Sequence, residues 1–475
     1  MWARIKFKLS NKEGFFHNIS ILLFCNVAVN VIGLFTNMYI ARTLQPEGYG
    51  EYGVVISWAS ILQIVSSLGI QQVAIRSIAQ NRDASRYYFR ISMIARFLGF
   101  AATCMLFGIY YKLFIDKPIF ILLVILAQTL MTSVWDGIQN VAFGMQRMEY
   151  TGYINVIGQA LLLGVYILLP HDYINLYNVI IIALILGGLK DVCYYIKCQK
   201  ENMFRDDNSS VMVMGKKEVW SIIKESFPFY ILAIFTLFTT QFPVLFLEKN
   251  AGASEVAYFN TANKLMVPMS MMLSTIMVAL FPNLAKDASS NPIQFLAKIR
   301  KILAIVVPIG VVLCCLISLF RNEVVYIIYG EAYKSTGLVM STQCWYIVLN
   351  FMFCLFGTVW AATKHDKLLS FISVFYAIIN TPILWFSSKY GASSMSCGYV
   401  VGAIINMSYH YYFFLKTLDY KLSKFFSVEI FSLIGIGICF SFCFPITASL
   451  MLRIFVGLVI VAGFCLYLKK RYNEK

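Results

Sequence analysis

Leu44-Gln45-Pro46-Glu47-Gly48-Tyr49-Gly50 is a polar turn set between two apolar runs of membrane length, 19–42 and 49–70. A hydrophobic run of about 20 residues crosses the ~30 Å hydrocarbon core as a helix. A helix is required there, because lipid offers no partner to free backbone N–H and C=O groups. Span, short turn, span is therefore the unit from which this chain is built. Outward from the turn the unit recurs at 90–114, 118–142, 151–170, 173–197, 227–248, 256–282, 302–320, 336–361, 368–388, 393–415, 428–445 and 450–468. About fourteen transmembrane helices in an all-α polytopic membrane protein are expected. The composition agrees: 59% hydrophobic, 13% charged and a mean hydropathy of +0.72 exclude a soluble domain of this length.

Lys and Arg fall almost wholly in every second gap. One side has Arg4, Lys6, Lys8 and Lys12, then Arg76, Arg82, Arg86 and Arg90, then Arg147. The long middle gap follows with Lys190, Lys197, Lys200, Arg205, Lys216, Lys217 and Lys224. Later gaps on the same side hold Lys286, Lys298, Arg300, Lys301, Lys364, Lys367, Lys416, Lys421 and Lys424, and the tail Lys469, Lys470, Arg471 and Lys475. These are 29 of the 39; the opposite side has seven. By the positive-inside rule both termini are cytoplasmic. The net charge of +16 is thus mostly topology. No clustered soluble basic face exists, so no nucleic-acid partner is expected.

The basic start and the long first run, with no small-residue cleavage site after it, read as a retained span rather than a signal peptide. Twelve scattered Cys without C-x-x-C argue against a disulfide framework or zinc site. P-loop, H-E-x-x-H and G-x-S-x-G patterns are absent, the four His lie far apart, and outward loops are short. All of this points away from an enzyme.

The longest polar gap, 198–226, divides six spans from eight. It contains Arg205-Asp206-Asp207-Asn208-Ser209-Ser210 and then the basic, amphipathic segment 216–225, expected as a short helix in the membrane interface. Four parts result: an N-terminal six-helix lobe (1–197), a cytoplasmic linker (198–226), a C-terminal six-helix lobe (227–415), and a two-helix hairpin with a basic tail (416–475). A weak internal repeat supports two lobes: 250–259 falls after the start of span seven as 44–50 does after the start of span one.

Charged groups at depth are costly, about 2.5–3.5 kcal/mol each, and mark candidate sites. Lys264 sits about 13 Å into the eighth span. It reads either as a functional cation or as a side chain snorkelling outward. Arg96 in the third span poses the same choice. Asp136 in the fourth either pairs with a cation, binds H⁺ or Na⁺, or sits at a watery mouth. Arg42 ends the first span. Arg453, near the outer end of the last, reads as snorkelling. Buried cations outnumber anions, which favours an anionic substrate such as phosphate or pyrophosphate.

Two stretches carry a resemblance. One is Ile40-Ala41-Arg42-Thr43-Leu44 with Pro46-Glu47-Gly48-Tyr49-Gly50, then Leu68-Gly69-Ile70 and Arg76-Ser77-Ile78-Ala79. The other is Tyr258-Phe259-Asn260-Thr261-Ala262-Asn263-Lys264-Leu265, then Pro268 and Ala279-Leu280-Phe281-Pro282-Asn283-Leu284-Ala285-Lys286, with a third echo at Tyr329-Gly330-Glu331-Ala332-Tyr333-Lys334-Ser335. The combination, spread over most of 19–415, resembles the Wzx-type O-antigen and polysaccharide flippases of the multidrug/oligosaccharidyl-lipid/polysaccharide (MOP) exporter superfamily.

The resemblance implies two six-helix lobes around a central cavity and export of undecaprenyl-pyrophosphate-linked oligosaccharide repeat units by alternating access. It implies a bacterial inner-membrane location and no resident cofactor, with drive from an H⁺ or Na⁺ gradient or the membrane potential. A polysaccharide polymerase and a chain-length regulator are implied partners. In related lipid II flippases a basic residue of the Tyr-x-x-Ala-x-Arg-Leu motif contributes to a cationic cavity, and Lys264 stands at that place; Lys keeps the charge but lacks the bidentate fork. Lys264, Arg42 and Arg96 are then the substrate-binding candidates, with Asp136 as ion-coupling group or charge partner. Fourteen spans rather than twelve is a further departure from many O-antigen flippases. Two other functions compete: a cation-coupled multidrug exporter of the same superfamily, which favours acidic cavity residues, and a membrane polysaccharide polymerase or ligase, which favours large external loops.

Overall fold

The computed structural model describes residues 2–115, 118–205, 215–290, 292–363, 365–418, 428–443 and 449–473. The polar stretch 206–210 and the cations Lys117, Lys364, Lys421, Lys424 and Lys475 lie outside them. The described chain is helical, and contacts divide it into two compact units, Met1–Leu245 and Phe246–Lys475. Nine helical stretches among the described residues are long and apolar enough to cross a membrane. The one at Ile21–Ser67 has 47 residues, about 70 Å of helix, enough for two crossings.

Helix α1 (Trp2–Ser67) is indeed two helices joined at a single non-helical residue, Gln45 (φ 59°, ψ 172°). The expected seven-residue turn is compressed to this residue. Pro46 can open the second arm because its missing N–H would have no helical partner there, and its ring presets φ. Tyr49 Oη donates to Asn37 Oδ1 at 3.0 Å across the bend. In a straight helix, twelve residues would separate these groups by about 18 Å, so the bond shows the chain folding back on itself.

The second arm stops at Leu68 and Gly69, both with positive φ, and α2 (Ile70–Gln80) follows. Gly69 has φ 69°, and an added Cβ would lie 2.5 Å from Tyr230 N and 2.9 Å from Ser226 O. Only glycine permits both that backbone and that close approach. Then come α3 (Ser85–Phe114), α4 (Ile119–Gly144), α5 (Met148–Leu168), α6 (Leu176–Lys200) and α7 (Lys216–Thr240).

Packing, not the hydrophobic effect, associates helices within lipid. Two cores do this in the first unit. One gathers Val55 and Leu62 of α1, Phe107 and Tyr111 of α3, Val124 and Ile125 of α4 and Ile180 of α6. The other gathers Ile78, Ile138, Val141, Tyr194, Cys198 and Met203. Between them α4 carries a polar stretch, Thr129, Ser133 and Asp136, with Ser133 Oγ 3.5 Å from Ser66 Oγ.

The basic segment 216–225 is not a separate interfacial helix. It forms the first turns of α7, and Val219, Ile222 and Ile223 pack against Ile70, Ala74 and Ala95. Arg76 pairs with Glu225 beside them. The apolar stripe that suggested a lipid surface is covered by α2 and α3, so by contact the described parts of this segment, 198–205 and 215–226, belong with the first unit.

In the second unit α8 (Phe242–Ala251) leads into α9 (Ala253–Ser290), α10 (Pro292–Leu319), α11 (Arg321–Tyr329), α12 (Thr336–Ala362), α13 (Asp366–Ser388), α14 (Ala392–Leu418), α15 (Val428–Cys443) and α16 (Leu450–Asn473). Helix α12 packs on α9, α10 and α14, while α15 and α16 lie on α10. Glu255 Oε2 accepts from the Ala392 N–H at 2.6 Å, placing a carboxylate at the N-terminus of α14, where the helix dipole favours it. Tyr258 meets Tyr333 edge-on, and Thr261 bonds Thr336 at 3.0 Å. The motif residues around Tyr258 and Tyr333 thus tie α9 to the start of α12.

Arg453 does not snorkel. It is 8% exposed, pairs with Glu323 at 2.7 Å and donates to Leu319 O at 3.2 Å. Its charge is met inside the protein, where it clamps α16 to the ends of α10 and α11.

Candidate functional site

Arg96 and Asp136, forty residues apart in the chain, meet in the first unit. Arg96 Nη1 stands 3.5 Å from Asp136 Oδ2, and Gln63 Nε2 donates to the same oxygen at 2.8 Å. Arg96 lies about 16 Å along α3 from its start, and Asp136 about 12 Å from the end of α4. At that depth water does not reach freely, and a charge must be matched by protein. Arg96 is 1% exposed. Its Nε and Nη2 find no hydrogen-bond acceptor among the described residues.

The pair opens onto a cavity of about 250 Å³. Gln63 and Ser67 of α1, Gln71 and Gln72 of α2, and Phe229 and Leu232 of α7 complete its wall, with Gly69 at the bend. The bend aims α2's two glutamines inward, and the close pass of α7 over Gly69 brings Phe229 to the rim. Neither glutamine amide bonds to a described residue.

The other candidates lie elsewhere. Lys264 projects from α9 in the second unit, exposed, with no hydrogen bond or ion pair to a described residue. Arg42 is exposed one turn before the Gln45 bend, its carbonyl accepting from Gln45 Nε2 at 2.7 Å. It does not line the cavity.

A second charged group escaped the sequence reading. Lys190, assigned there to the middle gap, lies ten residues before the end of α6, about 15 Å inside it. Its Nζ sits 3.9 Å from the centre of the Trp135 ring and 3.4 Å from Asn155 Oδ1, and its stem crosses Gly158. Asp191 beside it is 7% exposed. The adjacent Lys190-Asp191 inside an apolar helix was the available signal. The glutamines left none, since neutral amides in a span boundary read as turn. Beyond the span, Glu201 closes the edge with Arg147 at 3.5 Å and Lys197 at 2.8 Å. Hydrogen bonds from Lys197 and Tyr150 hold its carboxyl below the usual range.

Fold and site together define a multi-pass membrane protein, helical throughout its described residues, with a charged pair held among its helices at the wall of a cavity. Solved structures share the fold. "Lipid II flippase MurJ, inward closed conformation" superposes with a TM-score of 0.73 at 12% identity, covering 95% of this chain and 99% of that one. The Vibrio cholerae MATE transporter VcmN gives 0.54 at 14%, covering 87% and 98%. The family model "Polysaccharide biosynthesis protein" matches residues 15–287, and the chain belongs to that family. A Shigella dysenteriae protein named "Putative O-antigen transporter" is 21% identical over 280 residues, 57% of this chain and 67% of that protein.

Proposed function

We propose that this protein flips undecaprenyl-pyrophosphate-linked oligosaccharide repeat units from the cytoplasmic to the outer leaflet of a bacterial inner membrane, by alternating access, for O-antigen- or capsule-type polysaccharide synthesis. One observation carries the reading. A chain of the polysaccharide biosynthesis family keeps a charged, amide-lined cavity among membrane-length helices. An oligosaccharide cannot cross hydrocarbon unsolvated, and such a cavity replaces water for it, while the prenyl tail stays in lipid. Similarity to a protein named "Putative O-antigen transporter" and to the fold of a lipid II flippase supports a lipid-linked cargo.

In this reading both termini are cytoplasmic, Lys264 meets the pyrophosphate, and Arg42 is a separate candidate for contact with the cargo. Outward movement of an anion is downhill by about 2.3 kcal/mol per charge per 100 mV, hence about 4–5 kcal/mol for two uncompensated charges. Return of the empty carrier is coupled to H⁺ or Na⁺, which would compete with Arg96 for Asp136. A polymerase and a chain-length regulator receive the product. The drug-exporter alternative needs a free carboxylate for a cationic drug, and Asp136 is already held by Arg96 and Gln63.

The test is translocation of a fluorescent undecaprenyl-pyrophosphate oligosaccharide in proteoliposomes. Wild type transports it, and Lys264→Ala at equal abundance falls at least tenfold, with Lys264→Arg partly restored. Unchanged transport in Lys264→Ala would remove that residue from the pathway. Absence of wild-type transport would remove the function.

A further inference from the structure

We infer that the cavity of the first unit is a sugar subsite, taking one neutral pyranose ring of the cargo. Gln71, Gln72 and the amide oxygen of Gln63 would hold its hydroxyls, with Phe229 against its face. This rests on the transport reading and gives one part of the cargo to named side chains.

Charge decides against the pyrophosphate. Asp136 stands 3.5 Å from Arg96, so the pair is neutral as a unit, and an anion drawn by the guanidinium meets the carboxylate at once. No other cation among the described residues lines the cavity. Hydrogen-bond chemistry agrees. Gln63 gives one amide N–H to Asp136 and keeps its carbonyl oxygen as an acceptor, while Gln71 and Gln72 each offer donors and an acceptor. A phosphate presents acceptors only and would leave those oxygens unmatched. Sugar hydroxyls both give and accept, and satisfy all of them.

Arg96 strengthens the case. Its side chain is 1% exposed, lines the cavity, and keeps Nε and Nη2 without acceptors. A buried donor left unmade is costly, which marks the guanidinium as held for its charge rather than for a contact with the protein. Phe229 is 39% exposed at the rim and offers an apolar face to the C–H side of a pyranose. The volume, about 250 Å³, lies below the ~300 Å³ at which pockets for drug-sized ligands begin. It suits one ring, not a whole repeat unit.

The experiment measures binding to full-length protein in nanodiscs of undecaprenyl pyrophosphate, bare or bearing one hexose, one N-acetylhexosamine or one 6-deoxyhexose. At least one sugar-bearing lipid should bind about tenfold more tightly than the bare lipid. The double variant Gln71→Ala/Gln72→Ala should erase that advantage and bind the bare lipid as wild type does. Neither amide bonds to a described residue, so folding is spared. Phe229→Ala should weaken the sugar-bearing lipid about three- to tenfold and leave the bare one unchanged.

Equal losses for bare and sugar-bearing lipid would mean that the cavity holds the pyrophosphate, and would overturn the inference. So would a sugar advantage that survives in both variants, or none in wild type. If wild type binds none of the lipids, the transport reading itself falls, and this subsite with it.

Discussion

Arg96 is held among helices by one carboxylate, and that gives Asp136 a structural role. Removing one partner of a buried ion pair leaves the other charge uncompensated, which costs about 3–5 kcal/mol, whereas replacing both by apolar groups of similar volume is near neutral. Asp136→Ala should therefore destabilise the protein by about 3 kcal/mol, read as a lowered thermal midpoint in nanodiscs. Arg96→Met combined with Asp136→Leu should recover most of that loss and still transport poorly. A double variant no more stable than Asp136→Ala would show that the pair contributes little to the fold. Both residues were visible in the sequence as charges at depth. Their pairing was not, because forty residues and two helices separate them and a hydrophobicity profile has no registry between helices. Lys190 shows the opposite error: a count of charges near a span end took it for a loop residue, and only its place over Trp135 reveals it as interior.

At the scale of the element, the bend at Gly69 builds the cavity, since it turns α2 and admits the backbone of α7. Gly69→Ala adds a Cβ in the left-handed region and 2.5 Å from Tyr230 N. The strain and the clash together should cost about 2–4 kcal/mol. Lower expression and a lower melting temperature would register it, and wild-type stability would contradict the geometry. Beyond the end of α6, the depressed Glu201 carboxyl sets a pH dependence. A lowered folded value contributes stability that is fully present above the unfolded value near 4.5 and is lost as pH falls through the folded one. Glu201→Gln should flatten the stability profile below about pH 4.5 and leave it unchanged near pH 7. Arg147 and Lys197 are solvent-exposed and Glu201 partly so, and the effect should shrink in high salt. A turn and an amphipathic helix were both legible in these segments, yet their partners were not. The apolar stripe of 219–223 reads the same whether lipid or α2 covers it.

For the whole molecule, the Lys and Arg asymmetry predicts orientation. Alkaline phosphatase fused after Lys117 or Lys389 should be active, and fused after Glu201 or at the C-terminus inactive. The reverse pattern would overturn the cytoplasmic placement of both ends. The sequence by itself determined that this is a helical, multi-pass protein, because membrane-length apolar runs have no other stable form in lipid. Its motif combination also pointed to the MOP superfamily, and the match over 15–287 places the chain in the polysaccharide biosynthesis family. Tertiary structure alone decided that Arg96 is neutralised by Asp136, that Arg453 is clamped to Glu323 rather than snorkelling, and that Gln71 and Gln72 face a cavity. The physical reason is common to all three. Hydropathy depends on each segment's own side chains, whereas the state of a buried charge or amide depends on which groups of other helices stand within hydrogen-bond reach.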